Sequence, residues 1–594
     1  MTLHVRLADS TTTTSGTAAT TAPRQLDDDT VLPFDADEME VGSTRLARVD
    51  GRRVCIARTE EGIFAVDHAC PHEGYGLTQR SLDGSLLTCA WHNWKFDVRT
   101  GDCVQGEEGV PAHDVDVADD GSIRVRVRVP SPEHTRTRLL QQLRRGIEQN
   151  YVGQIARDVA RLLEVGTDPY EIAAVGVRHG AARAEYGWGH SIAALSDCLA
   201  MLDLFDGEQR AVPLVQGLSF TAETERGRPE QPLADAAPFA DATRAAFLDA
   251  VEYEDLPRAQ ALIRAAIARG DDPSSVHDWF IGAISAHHLS YGHGAIYVQK
   301  GFELLTMIGW EHADVVLGHL VTSVVTGTRE DTLPYHRPFA RSIDDVDLEA
   351  VAAAAEFADV PPPTGAADAL VELRAALLGP DRGVAARSAV TSLTAGAPVD
   401  AVLDTVVGAV AERLLRYDPA NETDLDDDFN WLDITHGITY AHAVRHHLAA
   451  QRDAGRLDVA ADASARARVE LIRLLLFAAF QANWTGRHEW HTAIAPTAPS
   501  SLDPRLVTAG SDRVALAAIG DDLQRRSLDD VHTAPIHVVH AVKTSRAAHL
   551  EAQRTGDGDV LAATTRYFDG PRSERSVRAA THRAIEFVGG RLRR

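Results

Sequence analysis

Two short Cys/His pairs constrain this chain more than any other feature of its sequence. One residue separates Cys70 from His72, two separate Cys89 from His92, and sixteen lie between the two pairs. Thiolate sulfur and imidazole nitrogen are common protein ligands of iron and zinc. Because each spacing is so short, both donors of a pair sit on one loop. The sequence therefore predicts a metal centre held between two loops.

Two kinds of metal centre fit these four donors. A structural Cys₂His₂ zinc site usually takes both cysteines from one loop and both histidines from the other. A [2Fe–2S] cluster can instead have two cysteines on one iron and two histidines on the other. Each loop here contributes one cysteine and one histidine, which favours the cluster and leaves zinc as the alternative.

The residues around the two pairs resemble those of the Rieske ferredoxin family, which includes the N-terminal domains of ring-hydroxylating oxygenases. Glu73-Gly74 follows the first pair, and Trp94-Lys95-Phe96-Asp97 follows the second. The resemblance covers residues 34–129. It implies a [2Fe–2S] cluster with Cys70, His72, Cys89 and His92 as its ligands. Asn93 departs from the family pattern, which has glycine there, and its side chain is expected to crowd the loop.

The same resemblance predicts a low reduction potential for the cluster. High-potential members carry serine and tyrosine hydroxyls just after the second histidine, where this chain has Trp94 and Phe96. Because hydrogen bonds to the sulfurs raise the potential, we expect a midpoint of roughly −150 mV. A redox titration checks this value, and a midpoint well above zero would contradict it.

Two regions of the chain have different periodicity. Residues 34–129 contain short apolar runs separated by turn dipeptides such as Asp50-Gly51 and Asp83-Gly84, which predicts a small all-β domain. From residue 137 to 594 apolar residues recur at helical spacing, which predicts a large all-α domain of helical hairpins, in one piece or in halves 137–345 and 366–594. Residues 1–33 are interpreted as a disordered tail and 130–136 as a linker.

Composition limits the partners and the compartment. A net charge of −27 argues against nucleic acid as a partner, because phosphate contacts need a basic face. Five cysteines leave an odd number beyond the cluster, which favours a reducing cytoplasm over a disulfide framework. The sequence has no apolar run of the roughly 18 residues that a membrane-spanning helix needs.

The helical region contains a weak internal repeat. Tyr186-Gly187-Trp188-Gly189-His190 precedes one apolar segment, and Tyr291-Gly292-His293 precedes another. A fainter third copy begins at His436. The pattern predicts similar helical hairpins stacked on one another.

Histidines of the helical region are candidates for a second metal site. Neutral imidazole is a common metal ligand, and a redox cluster needs an electron acceptor. Our candidate ligands of a mononuclear non-haem iron are His293, His436, His488 and His540; ordinary core histidines are the alternative. Lys543 is a candidate catalytic residue, because this chain has only three lysines and it follows His540 by one turn.

Two resemblances bear on these histidines. Asp433-x-x-His436 is similar to the iron-binding signature of ring-hydroxylating oxygenases, but the next histidine, His442, comes one residue late and would point elsewhere on a helix. The segment His537 to Arg546 is similar to a late helix of questin-oxidase-like proteins, which are helical oxygenases. This second resemblance implies a metal-dependent oxygenase domain with His540 as a ligand.

These observations lead to one main functional hypothesis and two alternatives. The main one is an oxidoreductase in which the cluster delivers electrons to the second metal for O₂-dependent oxidation of a small organic substrate. A ferredoxin or an NAD(P)H-dependent reductase would be the electron donor. The alternatives are an electron-transfer protein whose helices serve for docking or homo-oligomerisation, and a redox sensor.

Overall fold

The computed structural model describes residues 30–79, 81–128, 131–424, 429–458, 462–487, 495–531, 533–573 and 577–589. It divides into two compact units, with the boundary between Arg138 and Leu139. The first unit contains all the described strands and the second is built of helices. This confirms the predicted fold class, a small all-β domain followed by a large all-α domain.

Two antiparallel sheets make up the first unit. The larger has the strand order β1-β10-β9-β4-β3-β2 and the smaller the order β5-β6-β7-β8. The described strands are β1 Thr30–Asp35, β2 Thr44–Val49, β3 Arg52–Thr59, β4 Gly62–Asp67, β5 Leu82–Asp83, β6 Leu86–Thr88, β7 Lys95–Asp97, β8 Cys103–Gln105, β9 Ala112–Val117 and β10 Ser122–Arg126.

Turn residues and alternating burial explain this arrangement. Asp50 and Gly51 both adopt positive φ, 50° and 80°, as a tight hairpin turn between β2 and β3 requires. Strand β10 alternates buried Ile123 and Val125 with exposed arginines, so one face of it packs on the core. A separate hydrophobic cluster contains Cys70 and Cys89, and it anchors both metal-binding loops to the protein interior.

The structure places both ends of the all-β region at positions that differ from the predicted ones. Strand β1 begins at Thr30, ahead of the predicted start at residue 34, because Thr30 and Val31 pair with β10. The predicted tail 1–33 therefore ends earlier, and residues 1–29 lie outside the described part. The predicted linker 130–136 is also shorter, since a helix begins at Pro132, where proline fits the first turn.

The described helices account for nearly all the regular structure of the second unit, apart from short 3₁₀ turns. They are α1 Pro132–Glu148 (which crosses the unit boundary), α2 Val152–Glu164, α3 Pro169–Arg183, α4 His190–Ala200, α5 Ala211–Thr224, α6 Arg244–Glu252, α7 Leu256–Arg269, α8 Pro273–Ala286, α9 His293–Ile308, α10 Ala313–Val325, α11 Arg337–Ile343, α12 Leu348–Ala354, α13 Ala367–Leu378, α14 Val384–Thr394, α15 Val399–Arg416, α16 Trp431–Asp453, α17 Asp462–Trp484, α18 Pro499–Leu502, α19 Arg505–Ala509, α20 Arg513–Arg526, α21 Pro535–Thr555, α22 Asp559–Asp569 and α23 Val577–Val588.

One continuous hydrophobic core runs through this second unit, from Leu139 to Tyr567. Helices from its early and late parts pack directly, including α4 with α21, α8 with α17 and α9 with α16. The structure therefore does not divide the helical region into two separate compact units at 137–345 and 366–594, which was one of the predicted arrangements. None of the described helices is both long and apolar enough to cross a membrane.

Candidate metal centres

Each Cys/His pair lies on a tightly hydrogen-bonded loop. In the first, the Cys70 amide donates to the Tyr75 carbonyl at 2.8 Å, and the Gly74 amide donates to the Cys70 carbonyl at 2.8 Å. In the second, the Cys89 amide donates to the Trp94 carbonyl at 2.7 Å. These bonds fold each loop back on itself, so the donor side chains are held in place before any metal binds.

The two loops bring all four predicted cluster ligands together. Cys70 and Cys89 are both 2% exposed, and their thiols hydrogen-bond to each other. The imidazole rings of His72 and His92 lie edge to face with centroids 4.2 Å apart. Two adjacent sulfurs and two adjacent imidazoles are the donor set that a [2Fe–2S] cluster with Cys₂ and His₂ irons requires.

The surroundings of the sulfurs also suit a cluster. Burial raises the pKa of the Cys70 thiol to about 12, while backbone N–H groups of His72 and Glu73 donate to its sulfur. A bound metal displaces the thiol proton, and the two amides then stabilise the resulting thiolate. Trp94 stacks on His72 with centroids 4.6 Å apart, and Phe96 is fully buried, so neither position places a hydroxyl near the cluster.

Asn93 adopts a left-handed conformation with φ of 61°. This explains the glycine that the family pattern has at the position, since asparagine is among the few other residues that tolerate such a φ. Its side chain is exposed and does not crowd the loop, contrary to our expectation.

A second donor cluster lies inside the helical unit, where four helices each contribute one histidine. His190 begins α4, His293 begins α9, His436 lies in α16 and His540 lies in α21. Their ring centroids form a closed circuit: 4.8 Å between the first two, then 4.6 Å, 4.9 Å and 4.7 Å back to His190. We call these residues the four-histidine cluster. Sites of this kind, built from facing helices, are typical of metal-binding helical bundles.

Backbone carbonyls fix the orientation of three of these rings. The Nδ1 atoms of His293, His436 and His540 lie 2.5, 2.5 and 2.7 Å from the carbonyl oxygens of Ser290, Leu432 and Ile536 respectively. A carbonyl oxygen only accepts, so each Nδ1 carries the proton and each Nε2 keeps its lone pair. This is how metal-binding histidines are usually held.

The lone pairs converge. His436 Nε2 lies 2.9 Å from His293 Nε2 and 3.4 Å from His540 Nε2. Ligand atoms of His190, His293 and His540 all lie within 4.8 Å of one another. Metal–nitrogen bonds of about 2.0–2.1 Å place neighbouring donors roughly 2.9 Å apart at a right angle and roughly 3.3 Å apart at a tetrahedral angle. The two distances measured from His436 Nε2 therefore match the spacing of neighbouring donors on one metal.

Burial keeps these imidazoles neutral. It lowers the pKa of His293 to about 3 and holds the pKa values of His190, His436 and His540 well below their usual range. Neutral imidazoles repel no cation, and only the neutral form has a free lone pair. Tyr297 packs against His293 with centroids 5.1 Å apart, and Tyr291 lies edge-on to His436 at 5.7 Å.

Lys543 belongs to the same site. Its side chain is 1% exposed, and its ammonium would lower the pKa of all four cluster histidines, so it lies close to them. Burial lowers its own pKa to about 7. This buried position agrees with the expectation that the rare lysine is not ordinary surface charge.

Three of the four predicted ligands meet in this cluster, and the fourth, His488, lies outside the described residues. His190 was missed; like His293 it begins a helix shortly after a Tyr-Gly pair, but it lies four residues after Tyr186, whereas His293 lies two residues after Tyr291. Asp433 and His442 are used elsewhere. Asp433 accepts from the Asn430 amide in the N-cap of α16, and His442 pairs with Glu551 at 2.8 Å.

Comparison with known proteins identifies the first unit. Residues 30–118 match the family model of the Rieske [2Fe-2S] domain. The chain is 33% identical over 66 residues to the biphenyl dioxygenase ferredoxin subunit of Pseudomonas sp. (strain KKS102), which is 11% of this chain and 61% of that protein. It is 31% identical over 71 residues to the cholesterol 7-desaturase of Hemicentrotus pulcherrimus, which is 12% of this chain and 15% of that protein.

Among solved structures, the ferredoxin of carbazole 1,9a-dioxygenase from Nocardioides aromaticivorans IC177 is 26% identical. The match covers 17% of this chain and 98% of that one, with a TM-score of 0.16. The chain thus covers less than two thirds of either curated relative, and all three matches involve only a small part of it.

Proposed function

We propose that this chain, whose residues 30–118 are a Rieske [2Fe-2S] domain, is an oxidoreductase with a second metal centre in its helical unit. The second metal is a mononuclear non-haem iron held by His190, His293, His436 and His540. With iron bound, the site would supply O₂ activation with electrons from the cluster, for oxidation of a small organic substrate.

One observation carries the proposal: the unprotonated Nε2 atoms of His293 and His436 face each other at 2.9 Å. Because both Nδ1 protons are committed to backbone carbonyls, no proton is available to bridge the two lone pairs. Two buried lone pairs at this distance repel unless a cation lies beside them. A bound metal ion would remove this repulsion, because all four imidazoles could coordinate it.

The presence of the Rieske domain supports iron rather than zinc as the metal that we propose for the second site. Zinc has no redox chemistry, whereas a one-electron cluster on the same chain is useful only with a redox partner. When bound, iron would supply a site where O₂ is activated. For hydroxylation the net reaction is R–H + O₂ + 2 e⁻ + 2 H⁺ → R–OH + H₂O, with both electrons entering through the cluster.

The chain's own residues have separate roles in this scheme. The three backbone carbonyls orient the imidazoles, so that little reorganisation accompanies metal binding. Tyr291 packs against His436 and Tyr297 against His293, so both would shield the metal from water with aromatic surface. Lys543 would place its amine next to the reacting centre. Burial lowers the pKa of this amine to about 7, so it is partly uncharged near neutral pH.

The proposal also covers the partners. The ferredoxin components among the relatives belong, by their names, to dioxygenase systems. For this chain we propose a ferredoxin or an NAD(P)H-dependent reductase as electron donor, in the bacterial cytoplasm. Assembly as a homo-oligomer would be compatible with this role.

Reoxidation of the reduced protein tests the electron path without knowledge of the substrate. Full-length protein is reduced anaerobically with dithionite and mixed with O₂, and the visible absorbance of the cluster is followed by stopped flow. We expect His540→Ala, with the cluster intact, to reoxidise at least about tenfold more slowly than the unaltered protein, because it lacks one proposed ligand of the second metal. A tenfold change in rate corresponds to about 1.4 kcal/mol in the activation barrier.

His549→Ala is the matched control, since His549 is a buried histidine of the same helix outside the cluster. It should reoxidise like the unaltered protein. Equal rates for all three proteins would mean that O₂ takes electrons directly from the cluster. The alternative of an electron carrier with a helical scaffold would then replace the proposal.

A further inference from the structure

A line of aromatic side chains leads away from the four-histidine cluster, and Tyr440 is its first member. Tyr440 follows His436 by four residues on α16, so both lie on one face of that helix. Its ring also packs on Gly292, the residue before His293: a Cβ at Gly292 would lie only 2.6 Å from Tyr440 Cδ2. Tyr440 therefore lies close to two of the four proposed metal ligands.

From Tyr440 the line continues through His288 and His336 to Tyr335, and we call these four residues the aromatic relay. Their successive ring centroids are 5.4, 5.1 and 5.0 Å apart, and His288 Nδ1 lies 3.0 Å from His336 Nε2. Burial lowers the pKa of His288 to about 4 and of His336 to about 3, so both rings are neutral. Electron transfer slows steeply with distance, and rings in contact divide a long transfer into short steps.

The outer end of the relay has an acceptor for a proton. The Tyr335 hydroxyl donates to Glu330 Oε2 at 2.5 Å. Loss of an electron makes a phenol strongly acidic, so tyrosine is oxidised easily only where a base takes its proton. Burial raises the pKa of Glu330, and the charge of Asp331 also favours its protonation, whereas the Tyr291 amide donates to the carboxylate and opposes it. Glu330 is therefore a suitable base for Tyr335.

Nearby positive charges favour Tyr335 over its neighbour Trp484 as the side chain that loses an electron. The two rings pack with centroids 4.8 Å apart. The guanidinium carbons of Arg382 and Arg487 lie 4.3 and 5.2 Å from the centre of the Trp484 ring. Oxidation would place a positive charge in this ring, and both arginines oppose it. Oxidised Tyr335 is neutral once its proton has moved to Glu330.

We propose that Tyr335 is a redox-active tyrosine that gives one electron through the aromatic relay to the metal of the four-histidine cluster when O₂ reacts there without substrate. The step is Tyr335–OH + Glu330–COO⁻ → Tyr335–O• + Glu330–COOH + e⁻, with O₂ as the oxidant. The phenol O–H bond breaks and a new O–H bond forms at the carboxylate. This role rests on the proposed function, because the second metal is where O₂ takes the electron.

The electron balance gives this step a protective use. Complete reduction of O₂ to two water molecules takes four electrons, and the Rieske cluster delivers them one at a time. If no substrate is present, a partly reduced O₂ would oxidise nearby side chains, including the histidine ligands. Tyr335 would supply an electron instead and hold the oxidising equivalent away from these ligands until the cluster is reduced again.

Electron paramagnetic resonance tests the proposal without knowledge of the substrate. Full-length protein is reduced anaerobically, mixed with O₂ alone and frozen at intervals. We expect a tyrosyl signal that is lost in Tyr335→Phe, while the iron and acid-labile sulfide content of this variant stays unchanged. Ring-deuterated tyrosine should narrow the signal, which distinguishes a tyrosyl from a tryptophanyl radical.

Two further variants control the assignment. Tyr417→Phe is the matched control, because Tyr417 also donates to a glutamate, Glu422 at 2.8 Å, but packs on Trp431 rather than on the relay. It should keep the signal. Glu330→Gln should lose most of it, because the phenol proton has no acceptor. A signal that persists in Tyr335→Phe, disappears in Tyr417→Phe or is unchanged in Glu330→Gln overturns the inference.

Metal analysis of the same samples separates this inference from the proposed function. A third iron in unaltered protein that forms no tyrosyl radical overturns the redox role of Tyr335 and leaves the proposed function standing. Only the two cluster irons, with no radical, would overturn both. A radical at Tyr335 in protein with only the cluster irons would overturn the proposed function and the end point of the relay, and Tyr335 would still be redox-active.

Discussion

Replacement of His436 by glutamine is expected to remove the metal of the helical unit while leaving the [2Fe–2S] cluster intact. His436 Nε2 lies 2.9 Å from His293 Nε2 and 3.4 Å from His540 Nε2. Its loss would therefore remove the donor that lies between these two ligands. Loss of groups that only support a metal ligand typically costs 10- to 100-fold in affinity. Loss of the ligand itself should therefore cost at least about 100-fold.

Metal analysis of the purified variant measures this effect. Iron beyond the two cluster atoms should disappear in His436→Gln, while acid-labile sulfide stays unchanged. His446→Gln is the matched control, because His446 lies on the same helix and contacts Glu303 rather than the cluster. Equal metal content in the two variants would show that His436 is an ordinary core histidine.

Acid is expected to unfold the helical unit over a narrow pH range. His288, His336 and His447 are buried neutral histidines outside the four-histidine cluster, and burial lowers their pKa values to about 4, 3 and 3. An unfolded histidine binds a proton below pH ~6.5, but these native histidines do so only near pH 3–4. Protonation therefore favours the unfolded state as the pH falls below 6.5, and stability is fully present above that pH.

The size of this effect follows from linkage. Such a histidine costs nothing well above pH ~6.5 and about 1.4 kcal/mol of stability per pH unit below it. Acidification from pH 7.5 to 5.5 therefore costs about 1.4 kcal/mol for each histidine and about 4 kcal/mol for the three. That is a large part of the 5–15 kcal/mol typical of a folded domain. Circular dichroism at 222 nm against pH measures the transition, with the helical signal reporting on the second unit.

The variant His447→Gln tests whether protonation of buried histidines causes the loss of stability in acid. His447 interacts with His277 and with the Ala295 carbonyl, so His447→Gln keeps a side chain able to hydrogen-bond but removes one titrating group. Its stability should depend less steeply on pH, by about 1.4 kcal/mol per pH unit. His134→Gln, at an exposed histidine of α1, should behave like the unaltered protein. Identical slopes for all three proteins would contradict the account.

Local patterns in the sequence were sufficient to predict that Cys70, His72, Cys89 and His92 come together. The four ligands lie within 23 residues of one another, on loops whose hydrogen bonds close over a few positions. The all-β and all-α regions were predicted correctly for the same reason, since periodicity is a local signal. The early start of β1 was missed because Thr30 is held by pairing with a strand almost a hundred residues later.

The helical site could be predicted only in part. The sequence indicates His293, His436 and His540 as candidate ligands, but their convergence depends on packing between helices far apart in the chain. Helical periodicity shows which face of a helix is buried and gives no information on which helix covers it. His190 was missed because it has no second histidine nearby, and in the internal repeat Trp188 rather than His190 takes the position of His293.

The most direct test of a Rieske cluster coupled to a second iron is the iron and acid-labile sulfide content of anaerobically purified protein. We expect three irons and two sulfides per chain, with two irons in the [2Fe–2S] cluster and one in the four-histidine cluster. Two irons with two sulfides, and no other metal, would contradict it and leave the helical unit without a metal centre.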